Sequence, residues 1–351
     1  MIAAPVRRRP RPTALSSLAT LLLLTGCSGS SGPVDGARAH AHLEQIVGFG
    51  PRPFGSDALG KTADYITGEL TKLGLKPQRQ ELMHETEKKL VRNLWVQIDG
   101  ADPDQGPILI VGAHYDTKRA DGYSDVAHNF RFVGAIDGGG GPALLLELAR
   151  VMTQPEHKPK ANVWLYWIDA EESLDWEWND NRALLGSKEF CKMLSATKQL
   201  ARVKAFVLLD LIGSKNWKID RDGNSDSRLE DIFGRAAKAM GAADRVYQVP
   251  TKEQTDHWSR TGQKWGITDD HIAFRHFTGP SVLLIDFTFR IPPHLQKLQP
   301  GAQPMIHPDY EQWWHTADDD LAATDPDALA FAGNLVLQAM PELEAFVAGR
   351  K

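Results

Sequence analysis

The sequence predicts a three-layer α/β/α sandwich built on a mostly parallel, mixed central sheet. Two observations predict it. Short apolar runs at Ile108 to Ala113, Val163 to Ile168, Val203 to Leu211 and Ser281 to Phe287 alternate with segments of helical period. These runs also lead into chemistry-bearing residues: His114 and Asp116 follow the first, Asp169, Glu171 and Glu172 the second, and Asp210 lies at the end of the third. In an open α/β sheet the carboxyl ends of the strands form the edge where ligands bind.

Taken in order, the chain opens with a basic stretch, Arg7, Arg8, Arg9 and Arg11. A mostly apolar run from Leu15 to Leu24 follows, too short to span a bilayer as a stop-transfer helix. It ends in Leu24-Thr25-Gly26-Cys27 and then Ser28-Gly29-Ser30-Ser31-Gly32, which resembles a bacterial lipobox. The resemblance implies a signal peptide over 1–26, lipid on Cys27, a flexible tether over 27–34 and a lipid-anchored place in the bacterial cell envelope. The alternative is an ordinary secretory signal with an incidental cysteine. With Cys27 lipidated, Cys191 is alone and forms no intrachain disulfide; its helix-like setting, Ser187 to Leu194, marks it as packing.

Residues 35–351 read as a single α/β domain, since no internal boundary appears and composition is ordinary for a globular chain, 42% hydrophobic and 24% charged. The formal net charge of -5 gives no electrostatic case for nucleic-acid binding. Ala37 to Val47 is expected to be helical, and Gly48 to Pro53 breaks the pattern. Ser56 caps an amphipathic helix to Leu73 with Leu59, Ala63, Ile66 and Leu70 on one face. Leu90 to Ile98 alternates as a strand. Helices are expected over Leu144 to Val151, Ala183 to Leu194, Leu229 to Met240 and Pro326 to Phe346, the last containing Pro341. Gly138 to Gly141 lacks the Lys-Ser/Thr of a phosphate loop and reads as a tight strand-to-helix turn. Asp318-Asp319-Asp320 reads as a solvated turn. Lys118 to Arg131 and Thr288 to Gln312 are long polar insertions of the kind used as lids or binding loops, or left disordered.

The pair Glu171-Glu172 carries the chemistry. Two adjacent carboxylates at the end of an apolar run cost several kcal/mol unless they have partners or a metal. His114, Asp116, Asp137, Asp210 and His315 are the partners the pattern offers. A His/Asp/Glu set without Cys suits zinc with an open coordination position.

Six motifs then resemble, in order, those of glutaminyl-peptide cyclotransferases: Val111 to Thr117, Val133 to Asp137, Asp169 to Glu172, Leu208 to Gly213, Asp269 to Phe274 and Trp314 to Thr316. That family shares the zinc-dependent exopeptidase-like fold with the co-catalytic zinc aminopeptidases. The resemblance implies one zinc ion on Asp137, Glu172 and His315, with Glu171 as general acid/base. It implies Asp210 and Asp269 as the acidic network, and Trp176 and Trp314 as pocket aromatics, with Trp178 the alternative to Trp176. The implied partner is a peptide or protein with N-terminal Gln, converted to pyroglutamate with loss of ammonia. His114 with Asp210 would hold a second zinc in the aminopeptidases, so a dinuclear zinc aminopeptidase is the alternative. A non-catalytic binding protein would be expected to lose Glu171 or a ligand, and all are present. His271 is expected to orient the Asp269 loop. Leu283-Leu284 stand where the family often carries His or Asp, with Asp286 the nearest carboxylate.

Overall fold

Six strands form one sheet in the order β1 (Gln78–Met83), β2 (Leu90–Ile98), β4 (Asn162–Ile168), β3 (Ile108–His114), β5 (Val203–Asp210) and β6 (Ser281–Ile285). β4, β3, β5 and β6 run parallel; β2 and β1 add antiparallel strands at one edge. The computed structural model describes residues 32–215, 217–262, 266–287 and 313–349. The expected signal peptide, Cys27 and the 288–312 insertion lie outside the described residues.

Every residue of β3, β4 and β6 is buried, as parallel strands covered on both faces require. One face packs on α1 (Gly36–Gly48), α2 (Asp57–Lys72), α3 (Gly141–Met152), α5 (Ser227–Ala239) and α8 (Pro326–Gly349). The other face packs on α4 (Leu185–Ala196) and α7 (Asp270–Phe277) through Phe190, Cys191, Leu194 and Phe274. The sandwich therefore has the three layers that the sequence predicts. Ser56 caps α2 by accepting from Leu59 N at 3.1 Å, as expected. Cys191 is buried in the second core, again as expected. α8 continues through Pro341. No helix among the described residues is long and apolar enough to cross a membrane.

Three elements carry little signal in sequence. β1, Gln-Arg-Gln-Glu-Leu-Met, is an edge strand without an apolar face. α6 (Lys252–Thr261) is polar almost throughout and starts at a capping box, Thr251 with Gln254. α7 lies inside a motif that reads first as chemistry.

Strand register sets the site. His114 pairs with Ile168, so residues 169–172 emerge beside it. Asp210 pairs with Ile285 at the same edge. Three non-glycine residues at this edge adopt left-handed backbone: Ala170 (φ 52°), Leu211 (φ 49°) and His315 (φ 51°). Such conformations cost energy and persist where surrounding packing imposes them, commonly at functional sites.

Candidate metal centre and active site

Asp137 is the centre of the arrangement. Its Oδ1 lies 3.3 Å from His114 Nε2, and its Oδ2 lies 3.3 Å from His315 Nε2. His315 Nε2 is also 3.3 Å from Glu172 Oε1, and His114 Nε2 is 3.0 Å from Asp210 Oδ1. Two three-residue donor groups result, His114/Asp137/Asp210 and Asp137/Glu172/His315, each with its ligand atoms within 4.8 Å of one another. The three ligands and the second-metal residue read from sequence thus come together.

The two groups differ in how their atoms are satisfied. Asp137 Oδ2 and Glu172 Oε1 are buried and, among the described residues, accept no hydrogen bond of normal geometry, although His315 stands near both. Buried carboxylate oxygens left in this way are costly. A cation held by Asp137, Glu172 and His315 removes the cost, and their N/O donor chemistry fits zinc. Asp210 Oδ1, by contrast, accepts from Leu211 N at 2.7 Å and faces His114 Nε2.

The protonation pattern follows from burial and charge. Burial disfavours charge on Asp137, but the His114 and His315 rings that face its two oxygens outweigh it and hold the carboxyl below its ordinary range. Burial lowers His315, yet Glu172 and Asp137 together push it up to about 9. Burial, then the neighbouring Asp269, push Glu171 well above the usual carboxylate range. Burial, then Asp210, do the same to Asp269. A bound cation reverses this logic for its own ligands, because the histidines then bind as neutral rings.

Residues outside the ligand set hold it in place. Asp116 accepts from both members of the acid pair, Glu171 N at 3.1 Å and Glu172 N at 3.3 Å, and stands 3.5 Å from His114 Nδ1. Asp319 accepts from Ile136 N at 2.7 Å and Asp137 N at 3.0 Å and is fully buried. The reading of 318–320 as a solvated turn is therefore corrected at its middle residue: Asp319 points inward because two backbone donors flanking the central ligand need an acceptor. Burial, then Asp137, push its carboxyl up to about 8. Arg52, also fully buried, donates to the carbonyls of Tyr115, Gly50, Val133, Gly134 and Gly138. Burial lowers it to about 10, and Asp319, Asp116 and Asp137 oppose that fall. It stitches the loop carrying Asp116 to the loop carrying Asp137. In sequence it looked like part of a turn between two prolines.

The glycine run is a close-packed turn. Gly138 adopts φ +79°, and a Cβ there would collide with the Asp116 carbonyl; one on Gly140 would collide with the Ile212 carbonyl. Close approach of neighbouring backbone, and not flexibility, requires glycine at 138 and 140.

A cavity of about 260 Å³ opens onto the centre, lined by Glu171, Asp210, Asp269, Trp178, Phe287 and Trp314, with the ligands at its base. Trp314, expected from sequence as a pocket aromatic, lines this cavity. Trp178 is the tryptophan in the wall, whereas Trp176 stands beside His315, ring centroids 6.1 Å apart. Trp176 is packed by the 118–131 insertion: His128 stacks on it at 3.9 Å, with Tyr123 and Phe130 edge-on. Lys118 is buried, donates to the Ser173 and Asp175 carbonyls and lies 3.7 Å from Glu172. The insertion is therefore a brace for the acid-pair loop. Asp286 turns away from the acidic network; its carboxylate accepts from Ser214 Oγ at 2.5 Å and pairs with Lys218.

Comparison with known proteins gives the family and the fold. The family model described as Peptidase family M28 matches residues 93–340. A glutaminyl-peptide cyclotransferase of Drosophila melanogaster is 26% identical over 234 residues, covering 64% of this chain and 58% of that protein. The chain thus spans less than two thirds of that relative's length. The crystal structure of an Acidobacteriales bacterium glutaminyl cyclase superposes with a TM-score of 0.70 at 25% identity, covering 91% of this chain and 97% of the other. A Zn-dependent exopeptidase from Parabacteroides distasonis shares the fold, with a TM-score of 0.69 at 22% identity and coverage of 88% and 98%. The family match extends over more than half of the sequence and takes in all of the candidate metal-binding residues: the chain belongs to peptidase family M28.

Proposed function

We propose that the protein is a glutaminyl-peptide cyclotransferase that converts the N-terminal Gln of a peptide or protein to pyroglutamate and releases ammonia. The observation that carries the reading is the contrast between the two donor groups. Unsatisfied buried oxygens gather at Asp137 and Glu172 beside His315, while Asp210 and His114 face one another at hydrogen-bonding distance. That pattern favours one zinc ion, held by Asp137, Glu172 and His315, over two. The names of the relatives support the same reaction.

When bound, zinc polarises the substrate's γ-carbonyl and stabilises the oxygen charge that develops there. The chain's own residues do the rest. The α-amine nitrogen forms a bond to the side-chain amide carbon, and the bond from that carbon to the amide nitrogen breaks. Glu171 takes a proton from the amine and returns it to the leaving nitrogen, which departs as ammonia. Burial and the acidic neighbours that raise its pKa suit it to hold that proton between the two transfers. Asp210 and Asp269 line the same cavity and complete the proton-sharing network. The reaction consumes no water, so walls of Trp178, Phe287 and Trp314 favour it by excluding solvent.

The test is mass spectrometry of products from a Gln-initiated and a Leu-initiated peptide. Loss of ammonia from the first with the second intact is expected. Removal of the first residue from either peptide would instead identify an aminopeptidase using His114 and Asp210 for a second zinc.

We further propose envelope anchoring through lipid on Cys27, supported by the order of basic, apolar and Leu-Thr-Gly-Cys segments. Incorporation of labelled palmitate into the parent, and not into Cys27→Ser, is the expected result.

A further inference from the structure

The cavity wall formed by Gly266, Ile267, Thr268 and Asp269 belongs to no strand. It is held from behind by a buried carboxylate. Asp222 Oδ1 accepts from Ile267 N at 2.7 Å and Asn224 N at 3.2 Å. Its Oδ2 accepts from Ser225 Oγ at 2.9 Å and lies 3.0 Å from His271 Nε2. Asn224 Nδ2 donates to Ile267 O at 2.9 Å, so Ile267 is gripped through both its amide and its carbonyl. The grip is tied to the sheet: Ser225 Oγ accepts from Leu283 N at 3.0 Å, and Ser281 Oγ donates to His271 O at 2.9 Å. Asp222 and His271 are both fully or almost fully buried, and neither lines the cavity. They reach the substrate only through the segment they hold, and that segment carries Asp269 at the N-cap of α7.

We propose that the Asp222–His271 pair is the positioning device of the active site. It fixes wall 266–269 against the end of β6 and so sets Asp269 in the cavity it shares with Glu171 and Asp210. A buried pair of this kind contributes little net stability, but it specifies one arrangement of the chain around it. Its kinetic consequence rests on the cyclotransferase reading; the placement of the wall does not.

The experiment compares His271→Leu with the double variant Asp222→Asn/His271→Gln, which is uncharged yet keeps an acceptor and a donor. Amide hydrogen exchange, zinc content and steady-state kinetics are measured on each. In His271→Leu, exchange over 266–270 is expected to quicken by about tenfold or more while the rest of the sheet is unchanged. Zinc content holds, and kcat falls by about tenfold or more with a smaller change in KM. The double variant is expected to recover most of both losses. Unchanged exchange at 266–270 overturns the proposal, and so does faster exchange with an unaltered kcat. If His271→Leu does not fold, Asn224→Ala removes only the bond to Ile267 O and gives the same readings at about threefold amplitude. If the parent enzyme forms no pyroglutamate, the reaction assignment falls, and exchange over 266–270 alone decides whether the pair holds the wall.

Discussion

Replacing Asp319 with alanine tests whether a residue that never touches substrate governs the metal centre. The substitution strips the acceptor from two buried backbone donors, Ile136 N and Asp137 N. Each buried donor left unsatisfied costs about 1–3 kcal/mol, for a gross loss of about 2–6 kcal/mol. Part of this is offset, because the carboxyl is itself costly to bury, as its upward shift to about 8 shows. A net destabilisation of about 2–4 kcal/mol follows, or a fall in Tm of roughly 5–10 °C. The released Asp137 amide also frees the ligand that faces both histidines, so zinc affinity is expected to fall by about 10–100-fold, as for other outer supports of metal ligands. Calorimetry and competition with a chromogenic chelator measure the two effects. Asp319→Asn, which keeps one acceptor, should lie between alanine and parent on both scales. An alanine variant within about 0.5 kcal/mol of the parent, with unaltered zinc affinity, would refute the reasoning.

Three further outcomes are expected. Glu171→Gln should bind zinc as the parent does while losing about 100-fold or more in kcat, and retained turnover would remove Glu171 from the proton shuttle. His114→Ala should leave zinc content near one per chain and preserve most cyclase activity, whereas a large loss of both would favour the dinuclear aminopeptidase. In chelator-treated protein, His315 titrates at about 9, above its unfolded value near 6.5, so its contribution is complete below about pH 6.5 and disappears as pH rises through 9. The loss approaches about 3 kcal/mol, Asp319 and Asp270 shift it in the same direction, and a Tm that stays flat from pH 6.5 to 9 in metal-free protein would contradict it.

The layers and the clustering of the candidate ligands were legible because both are written locally. A buried parallel strand is an unbroken apolar run, and the ligand or acid follows where the run stops, as at His114, Glu171-Glu172 and Asp210. What was not legible acts across the chain. Arg52 reaches five carbonyls up to 86 positions away, and Asp319 serves amides more than 180 positions away, so neither leaves a periodic or spaced pattern around itself. The choice between Trp176 and Trp178 also lay beyond sequence, because two residues' difference on an irregular loop decides which ring meets the cavity and which meets His128. β1 and α6 escaped because they bury almost nothing apolar, and burial is what hydrophobic pattern records.

The way the ligands reach the sheet edge has a consequence for biogenesis. The proposed ligands Asp137, Glu172 and His315 come from separate connections, and the last follows the closing strand β6. No short stretch of nascent chain holds a complete donor set, so metal capture cannot start folding as it does in a zinc finger. The parallel strands must first be paired across long loops, a slow step in which nonlocal contacts dominate. On the proposed reading zinc enters late, as a seal on an assembled sheet. Scarcity of the metal should leave folded but idle molecules that a later supply activates without refolding.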